Sequence, residues 1–121
     1  MTETDIQELF RSIDEFDSSK FASFLTDDAV FRFANIPQVE GKENIYDFVD
    51  NFFKSIKAIR HKGLEIWQVD RHSFVNGNVT YTRHDNSELS VDFSNTFKHK
   101  DGKIQKYLIF VDNSELYKDQ S

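Results

Sequence analysis

Five polar side chains in the second half of the chain are of types that bind ligands or move protons: His61, Tyr81, Arg83, Asn95 and Tyr107. A histidine titrates near neutral pH and is a natural acid or base in catalysis. Tyrosine hydroxyls and carboxamides donate hydrogen bonds, and a guanidinium binds anionic oxygens. These groups would suit a site that holds an oxygen-bearing small molecule and transfers a proton, with His61 as the candidate base.

Asn95 interrupts an alternating segment. Within residues 89–99 the apolar side chains on one face of the predicted strand are Leu89, Val91, Phe93 and Phe97, and Asn95 is the polar exception on that face. A buried carboxamide must find hydrogen-bond partners or cost about 1–3 kcal/mol. Asn95 is therefore either a structural hydrogen-bonding residue or a group that faces a ligand.

Composition and charge narrow the classes of protein to consider. The 121 residues include 13 phenylalanines and no cysteine, and the net charge is −6. We predict a single domain over residues 1–121 with a bulky aromatic core. The acidic balance argues against a nucleic acid or an anionic membrane as partner. The start of the chain does not resemble a secretory signal and no acidic or histidine spacing matches a metal site, so we expect a cytoplasmic protein without metal or cofactor.

The spacing of apolar residues predicts helices in the first half and strands in the second. Helices are expected at residues 6–16, 21–25 and 42–57, the first with Thr4 or Asp5 as N-cap, and a brief strand at residues 30–33. Longer strands are expected at residues 60–69, 79–83, 89–99 and 103–112. The turns between them are predicted at Asn76-Gly77, residues 85–87 and Asp101-Gly102.

The last hairpin decides what Asn95 faces. A three-residue loop with a glycine bulge would put Asn95 opposite Tyr107. The same register would put Phe93 opposite Ile109. A two-residue loop would instead put Asn95 beside Leu108. We expect the first register because it gathers the polar and aromatic residues on one concave face.

Helices followed by an antiparallel meander indicate an α+β fold. The segments LTDDAVF, TYTRHD and DFSNTFKHKDGKIQKYLIFVD resemble the nuclear transport factor 2-like superfamily, in particular its SnoaL-like branch. The resemblance implies a cone-shaped α+β barrel with three N-terminal helices packed on a curved, mainly antiparallel sheet. It also implies a pocket for a small, largely apolar molecule at the open end of the cone. Relatives include ketosteroid isomerases, polyketide cyclases, limonene-epoxide hydrolase and scytalone dehydratase.

Two chemistries of these relatives fit the sequence poorly. The tyrosine, base and acid positions of ketosteroid isomerase fall on Leu9, Phe33 and Asn95, of which only the amide can still donate a hydrogen bond. The Arg83-His84-Asp85 segment has the Arg-x-Asp spacing of the epoxide hydrolase, but the second aspartate falls on Ile109. An exposed ion pair beside a turn is the simpler interpretation of that segment.

His61 opens the first long strand and could point into the cone, whereas His72, His84 and His99 lie near turns or strand ends and are expected to be solvated. A partly buried histidine bonded to backbone is the alternative interpretation of His61. The aromatic residues could either line the pocket or fill it. The predicted ligand-binding set is Asn95, Tyr107, Tyr81, Arg83, Phe93, Ile109, Trp67 and Phe33.

Two functions follow from the sequence. In the first, the cone binds a small, largely apolar molecule, and Asn95 donates a hydrogen bond to a ligand oxygen. Isomerase, cyclase or dehydratase activity would then use His61 as the base. In the second, phenylalanines fill the cone and the protein is a homodimeric binding or scaffold module that pairs through the outer face of its sheet, at Thr80, Thr82, Ser94, Thr96 and Leu108 or Phe110. A cavity of about 300 Å³ would favour the first.

Overall fold

The computed structural model describes residues 1–117, and residues 118–121, which we expected to fray, lie outside the described residues. The helices are α1 (Glu3–Asp14), α2 (Ser18–Ser23) and α3 (Lys42–Lys54). The strands are β1 (Leu25–Phe33), β2 (Val39–Glu40), β3 (Ala58–Val69), β4 (His72–Thr82), β5 (Glu88–Lys100) and β6 (Lys103–Val111). No helix in this part of the chain is long and apolar enough to cross a membrane.

Helix α1 begins earlier than the sequence predicted. Thr2, and neither Thr4 nor Asp5, is the N-cap: its hydroxyl accepts from the backbone N–H of Asp5 at 3.1 Å. The Asp5 carboxylate in turn accepts from the backbone N–H of Thr2 at 2.8 Å, which completes a capping box. The third helix ends at Lys54, one turn before the predicted residue 57.

The six strands form one curved open sheet in the order β2-β1-β6-β5-β4-β3. All neighbours are antiparallel except β1 and β6, which run parallel. The helices lie in the first 54 residues, and the predicted strand at residues 30–33 is the end of β1, which with β2 separates α2 from α3. The three helices are therefore interspersed with strands and do not form an uninterrupted N-terminal group. The sheet keeps two free edges, at β2 and β3, and does not close into a barrel.

The predicted turn at Asn76-Gly77 is wrong because β4 runs through both residues. The chain reverses instead at Asp70 and Arg71, where Asp70 has a φ of 54° and Val69 pairs with His72. Gly77 is needed for packing: a Cβ there would lie 3.0 Å from the Phe93 ring. The absent side chain lets neighbouring strands carry large residues at this point.

The last hairpin has neither register that the sequence suggested. Asp101 and Gly102 form a two-residue turn, and a bulge in β6 then shifts the pairing by one residue. Asn95 consequently faces Ile109 and not Tyr107. Phe93 faces Val111, so its predicted pairing with Ile109 is also wrong.

The bulge leaves Asn95 and Tyr107 on the same face of the sheet. Tyr107 lies two residues before Ile109 and therefore points to the same face of β6. That concave face packs against the helices and forms the aromatic core, which includes Phe10, Phe21, Phe31, Phe53, Phe93, Phe97 and Tyr107. The opposite, convex face carries exposed apolar side chains, among them Trp67, Phe74 and Phe110.

Candidate functional site

A cavity of about 40 Å³ lies between the concave face of the sheet and the helices. Its wall is mainly aromatic, with phenylalanines from β1, β5, α2 and α3. Seven residues of the predicted site line it together: Phe33, His61, Tyr81, Phe93, Asn95, Tyr107 and Ile109. The structure therefore gathers most of the predicted residues, in a space far below the roughly 300 Å³ of a typical ligand pocket.

His61 forms a carboxylate–imidazole pair with Asp14. The Nδ1 atom of His61 lies 2.6 Å from Asp14 Oδ1, and the backbone N–H of His61 donates to both carboxylate oxygens at 3.2 Å. The histidine side chain is 9% exposed and that of Asp14 is 27% exposed. The ring is thus held by a carboxylate, whereas the alternative interpretation of the sequence was a partly buried histidine bonded to backbone.

The pairing with Asp14 occupies one ring nitrogen of His61, and the residue lines the cavity. With a proton on Nδ1 shared with Asp14, the Nε2 atom carries the lone pair of the neutral ring. Nε2 has no hydrogen-bond partner within residues 1–117. Phe10 and Phe93 pack edge-on against the imidazole, with ring centroids 4.9 and 5.3 Å away. These contacts fix the orientation of the imidazole ring.

Asp14 was missed by sequence reasoning. It is the last residue of α1 and lies 47 positions before His61. The available signal was helical spacing: Asp14 follows Phe10 by four residues and so lies beside the apolar stripe of the helix. A carboxylate at the edge of such a stripe is usually solvated, and only the tertiary packing of α1 on β3 gives it a partner.

Asn95 and Tyr107 form a second polar group in the cavity wall. Both are almost fully buried, at 2% and 1% exposure. The Asn95 Nδ2 atom donates to the Tyr107 hydroxyl at 3.4 Å. The other end of the amide, Oδ1, is buried without a partner among the described residues.

Both tyrosine hydroxyls of the site stay neutral. Burial raises the pKa of Tyr81 and that of Tyr107 well above the ordinary tyrosine range. Phe97 packs against the Tyr107 ring at 4.4 Å between centroids, and Phe52 packs at right angles to Tyr81 at 6.2 Å. These hydroxyls can donate hydrogen bonds but cannot serve as anionic bases near neutral pH.

Two predicted site residues lie outside the cavity. Arg83 Nε donates to the carbonyl of Leu116 at 2.8 Å and Nη2 to that of Glu115 at 2.9 Å, so its guanidinium anchors the C-terminal segment. Trp67 lies on the convex face and is 49% exposed. The predicted ion pair of Arg83 with Asp85 is replaced by separate contacts of each residue with Ser87.

The prediction of a solvated His99 is wrong. This residue continues the inward alternation of β5 and is 7% exposed. Its Nε2 atom hydrogen-bonds the Ser73 hydroxyl at 2.5 Å, and Nδ1 is buried without a partner in the described part of the chain. Burial lowers the pKa of His99. His72 and His84 are exposed, as expected.

No group of three His, Cys, Asp or Glu side chains within residues 1–117 is arranged to hold a metal ion. The cavity wall offers a carboxylate-supported imidazole, a carboxamide and two neutral hydroxyls in an aromatic surrounding.

Solved structures share this fold over nearly the whole chain. A candidate polyketide cyclase from Xanthomonas campestris is 14% identical, with a TM-score of 0.84 over 92% of this chain and 90% of that chain. An NTF2-like protein of unknown function from Burkholderia pseudomallei is 14% identical, with a TM-score of 0.85 over 96% and 95%. TerC, co-crystallized with polyporic acid, is 15% identical, with a TM-score of 0.80 over 93% and 92%. At these identities the likeness shows the fold alone.

Sequence comparison identifies the family. No curated protein matches the sequence. The family model of the SnoaL-like domain matches residues 6–107. This range includes α1 from its fourth residue, α2, α3, all six strands except the end of β6, and every residue that lines the cavity except Ile109. The family expected from the sequence motifs is confirmed: the chain belongs to the SnoaL-like domain family.

Proposed function

We propose that this protein binds a small, largely apolar molecule in its cone-shaped pocket and that His61, oriented by Asp14, removes a proton from it. The observation that carries the proposal is the 2.6 Å contact between His61 Nδ1 and Asp14 Oδ1 at the wall of an aromatic cavity. The chemistry is of the isomerase, cyclase or dehydratase type, which starts from a proton taken next to a carbonyl group. The likeness to a candidate polyketide cyclase supports this class.

In the proposed step, His61 Nε2 takes the proton and the C–H electron pair moves towards the carbonyl oxygen of the ligand. The imidazole becomes an imidazolium, which the Asp14 carboxylate stabilises by charge and hydrogen bond. The neutral hydroxyl of Tyr81, which also lines the cavity, then donates to the developing enolate oxygen. The aromatic wall keeps bulk water away from the reacting atoms.

Ligand entry requires movement of the wall. At about 10–15 Å³ for each water position, a cavity of 40 Å³ has room for about three waters. A ring-sized ligand needs more space than this and must shift neighbouring side chains. Phe48 and Phe52 of α3 line the cavity and are only partly buried, so their rotation opens space at the lowest cost in packing.

Proton exchange at carbon tests the proposed activity. The protein is incubated in D₂O with small cyclic ketones, and loss of the signal of the C–H next to the carbonyl is followed by NMR. We expect His61→Gln to slow the catalysed exchange by about 10²-fold or more. The matched control is His84→Gln, because His84 is exposed and hydrogen-bonds the Lys54 carbonyl outside the site. Exchange that is equally fast in wild type and His61→Gln would rule the base out.

The small cavity also favours a second candidate, a non-enzymatic homodimeric binding or scaffold module with a filled cone. Its interface would be the convex patch, defined as Trp67, Phe74, Leu108 and Phe110. Trp67 pairs with Phe74 across β3 and β4, and Thr96 continues the same row to Leu108. Trp67 and Phe110 are 49% and 55% exposed, and exposed apolar groups on one face are typical of an interaction surface. We propose a homodimer through this patch in both candidates.

A further inference from the structure

The unpartnered oxygen of Asn95 specifies the ligand more closely than the shape of the cavity does. Asn95 is 98% buried and lines the cavity, so its Oδ1 atom has no access to bulk water. A buried acceptor without a donor costs about as much as a lost hydrogen bond. The sequence suggested that Asn95 would donate to a ligand oxygen, but its Nδ2 atom is already directed at the Tyr107 hydroxyl. The end that is left is an acceptor.

Tyr107 supplies the complementary group. Its hydroxyl oxygen accepts from Asn95 Nδ2, and its own proton is donated to no other residue in the described chain. The wall therefore presents an acceptor, Asn95 Oδ1, close to a donor, the Tyr107 O–H. A single hydroxyl group satisfies both, because a hydroxyl donates one hydrogen bond and accepts others. A ketone oxygen or an oxyanion satisfies only the tyrosine and leaves Oδ1 unpaired.

The surroundings limit the form of that hydroxyl. The other groups at the cavity wall are mainly aromatic or aliphatic, and the only titratable side chains that line it are His61, Tyr81 and Tyr107 among the described residues. None of these side chains carries a permanent positive charge beside Asn95 Oδ1. An anionic ligand oxygen there would be repelled by the negative end of the amide dipole, with no cation to offset the repulsion. A neutral hydroxyl on a flat, apolar ring fits all of these conditions.

We propose that the ligand of this cavity carries a neutral hydroxyl of the phenol or enol kind, which donates to Asn95 Oδ1 and accepts from the Tyr107 hydroxyl. The inference rests on the proposed function, since it assumes that the cavity admits an organic ligand. It makes Asn95 a specificity-determining residue: the group beside its amide is a protonated hydroxyl and not a ketone or phenolate oxygen, and the carbonyl group of the proposed reaction is a separate group of the same ligand.

Binding of two matched probes tests the inference. The first probe is 4-nitrophenol, whose phenolate absorbs visible light and whose neutral form does not; the second is nitrobenzene, which lacks the hydroxyl. At a pH where both forms of the phenol are present, we expect the protein to bind the neutral form and bleach the phenolate band. Nitrobenzene should bind about three- to tenfold more weakly, the worth of one hydrogen bond.

Asn95→Leu removes the acceptor at similar volume. We expect this variant to bind nitrobenzene at least as well as wild type and to lose the preference for 4-nitrophenol. Tyr107→Phe removes the donor to the ligand hydroxyl, and we expect it to weaken binding of 4-nitrophenol but not of nitrobenzene, so it supplies the test if Asn95→Leu does not fold.

Three results would overturn the inference, and they differ in whether the proposed function survives. An increase of the phenolate band would mean that the amide presents Nδ2 to the ligand. Equal affinity for the two probes would mean that Asn95 selects nothing. In both cases the cavity still binds a ring, and the proposed function survives. Binding of neither probe, even at millimolar concentration, would remove the inference and the proposed ligand site together.

Discussion

The imidazole of His61 and the carboxylate of Asp14 join β3 to the end of α1, with 2.6 Å between Nδ1 and Oδ1 and two further contacts to the His61 backbone N–H. The pair therefore has a structural role besides the proposed chemical one. It ties a helix that packs on the concave face to a strand at the edge of the sheet.

Replacement of Asp14 tests the structural role. We expect Asp14→Ala to lower the free energy of unfolding by about 1–3 kcal/mol, because a buried imidazole and a backbone N–H lose their acceptor. Urea unfolding measures the loss. Asp27→Ala is the control, since Asp27 lies exposed in β1. An Asp14 variant as stable as the control would mean that the contact contributes nothing to folding.

A second prediction concerns Gly77. The Cβ of Gly77→Ala would lie 3.0 Å from both the Phe93 ring and Leu64 Cδ2, and we expect a loss of about 1–3 kcal/mol from overpacking. In Phe93→Leu, which frees space at this point, the same substitution should cost less. A double-mutant cycle by urea unfolding gives the coupling. Additive effects would show that the Phe93 ring is not the obstacle.

The stability of the protein should depend on the protonation of His99. Burial lowers the pKa of this side chain in the folded state, so the unfolded chain, with a pKa near 6.5, binds the proton more readily. Stability is then complete above about pH 6.5 and falls as the pH drops through the folded-state pKa. The chain N-terminus and His72 add positive charge nearby and act in the same direction.

Urea unfolding between about pH 5 and 8 measures this dependence. His99→Gln should flatten the part of the curve below neutral pH, whereas His84→Gln should leave it unchanged because His84 is exposed. A curve that is as steep in His99→Gln as in wild type would assign the acid sensitivity to other groups.

The convex patch predicts concentration-dependent association. If the patch forms a homodimer, Trp67→Ala combined with Phe110→Ser should shift sedimentation at micromolar concentration from dimer to monomer. Ile36→Ser is the control, since Ile36 is an exposed apolar residue in the loop after β1 and outside the patch. A wild-type protein that sediments as a monomer at all concentrations would exclude the homodimer.

Much of the site followed from the two-residue period of the strands. Alternation placed Phe93 and Asn95 on one face, and Tyr107 joined them even though its predicted partner was wrong, because a shift of two residues keeps a side chain on the same face. The N-terminal segment was harder. Nothing local links Asp14 to His61, since only the packing of α1 on β3 brings them together.

The errors have a common cause in tertiary packing. Asn76-Gly77 has the composition of a turn, but Gly77 is there to leave room for the Phe93 ring. Arg83 has the spacing of a catalytic motif, but its guanidinium finds two backbone carbonyls in the C-terminal segment. In each case the local sequence suggested one role, a turn or a catalytic motif, whereas the contact that the residue makes is with a residue distant in sequence.

The bulge at Gln105 has a consequence for the shape of the cavity. His99 pairs with Ile104 and Lys98 with Lys106, so Gln105 is the one extra residue of β6. A bulge bends its strand and adds local twist, and this one lies two residues before Tyr107, in the strand that carries the lining residues Tyr107 and Ile109. Deleting Gln105 would restore a regular pairing without turning any lining side chain away. The deletion would remove this bend and flatten the strand. One residue of chain length at this position would then change the volume of the cavity beside Asn95, while the chemical groups of the cavity wall stay the same.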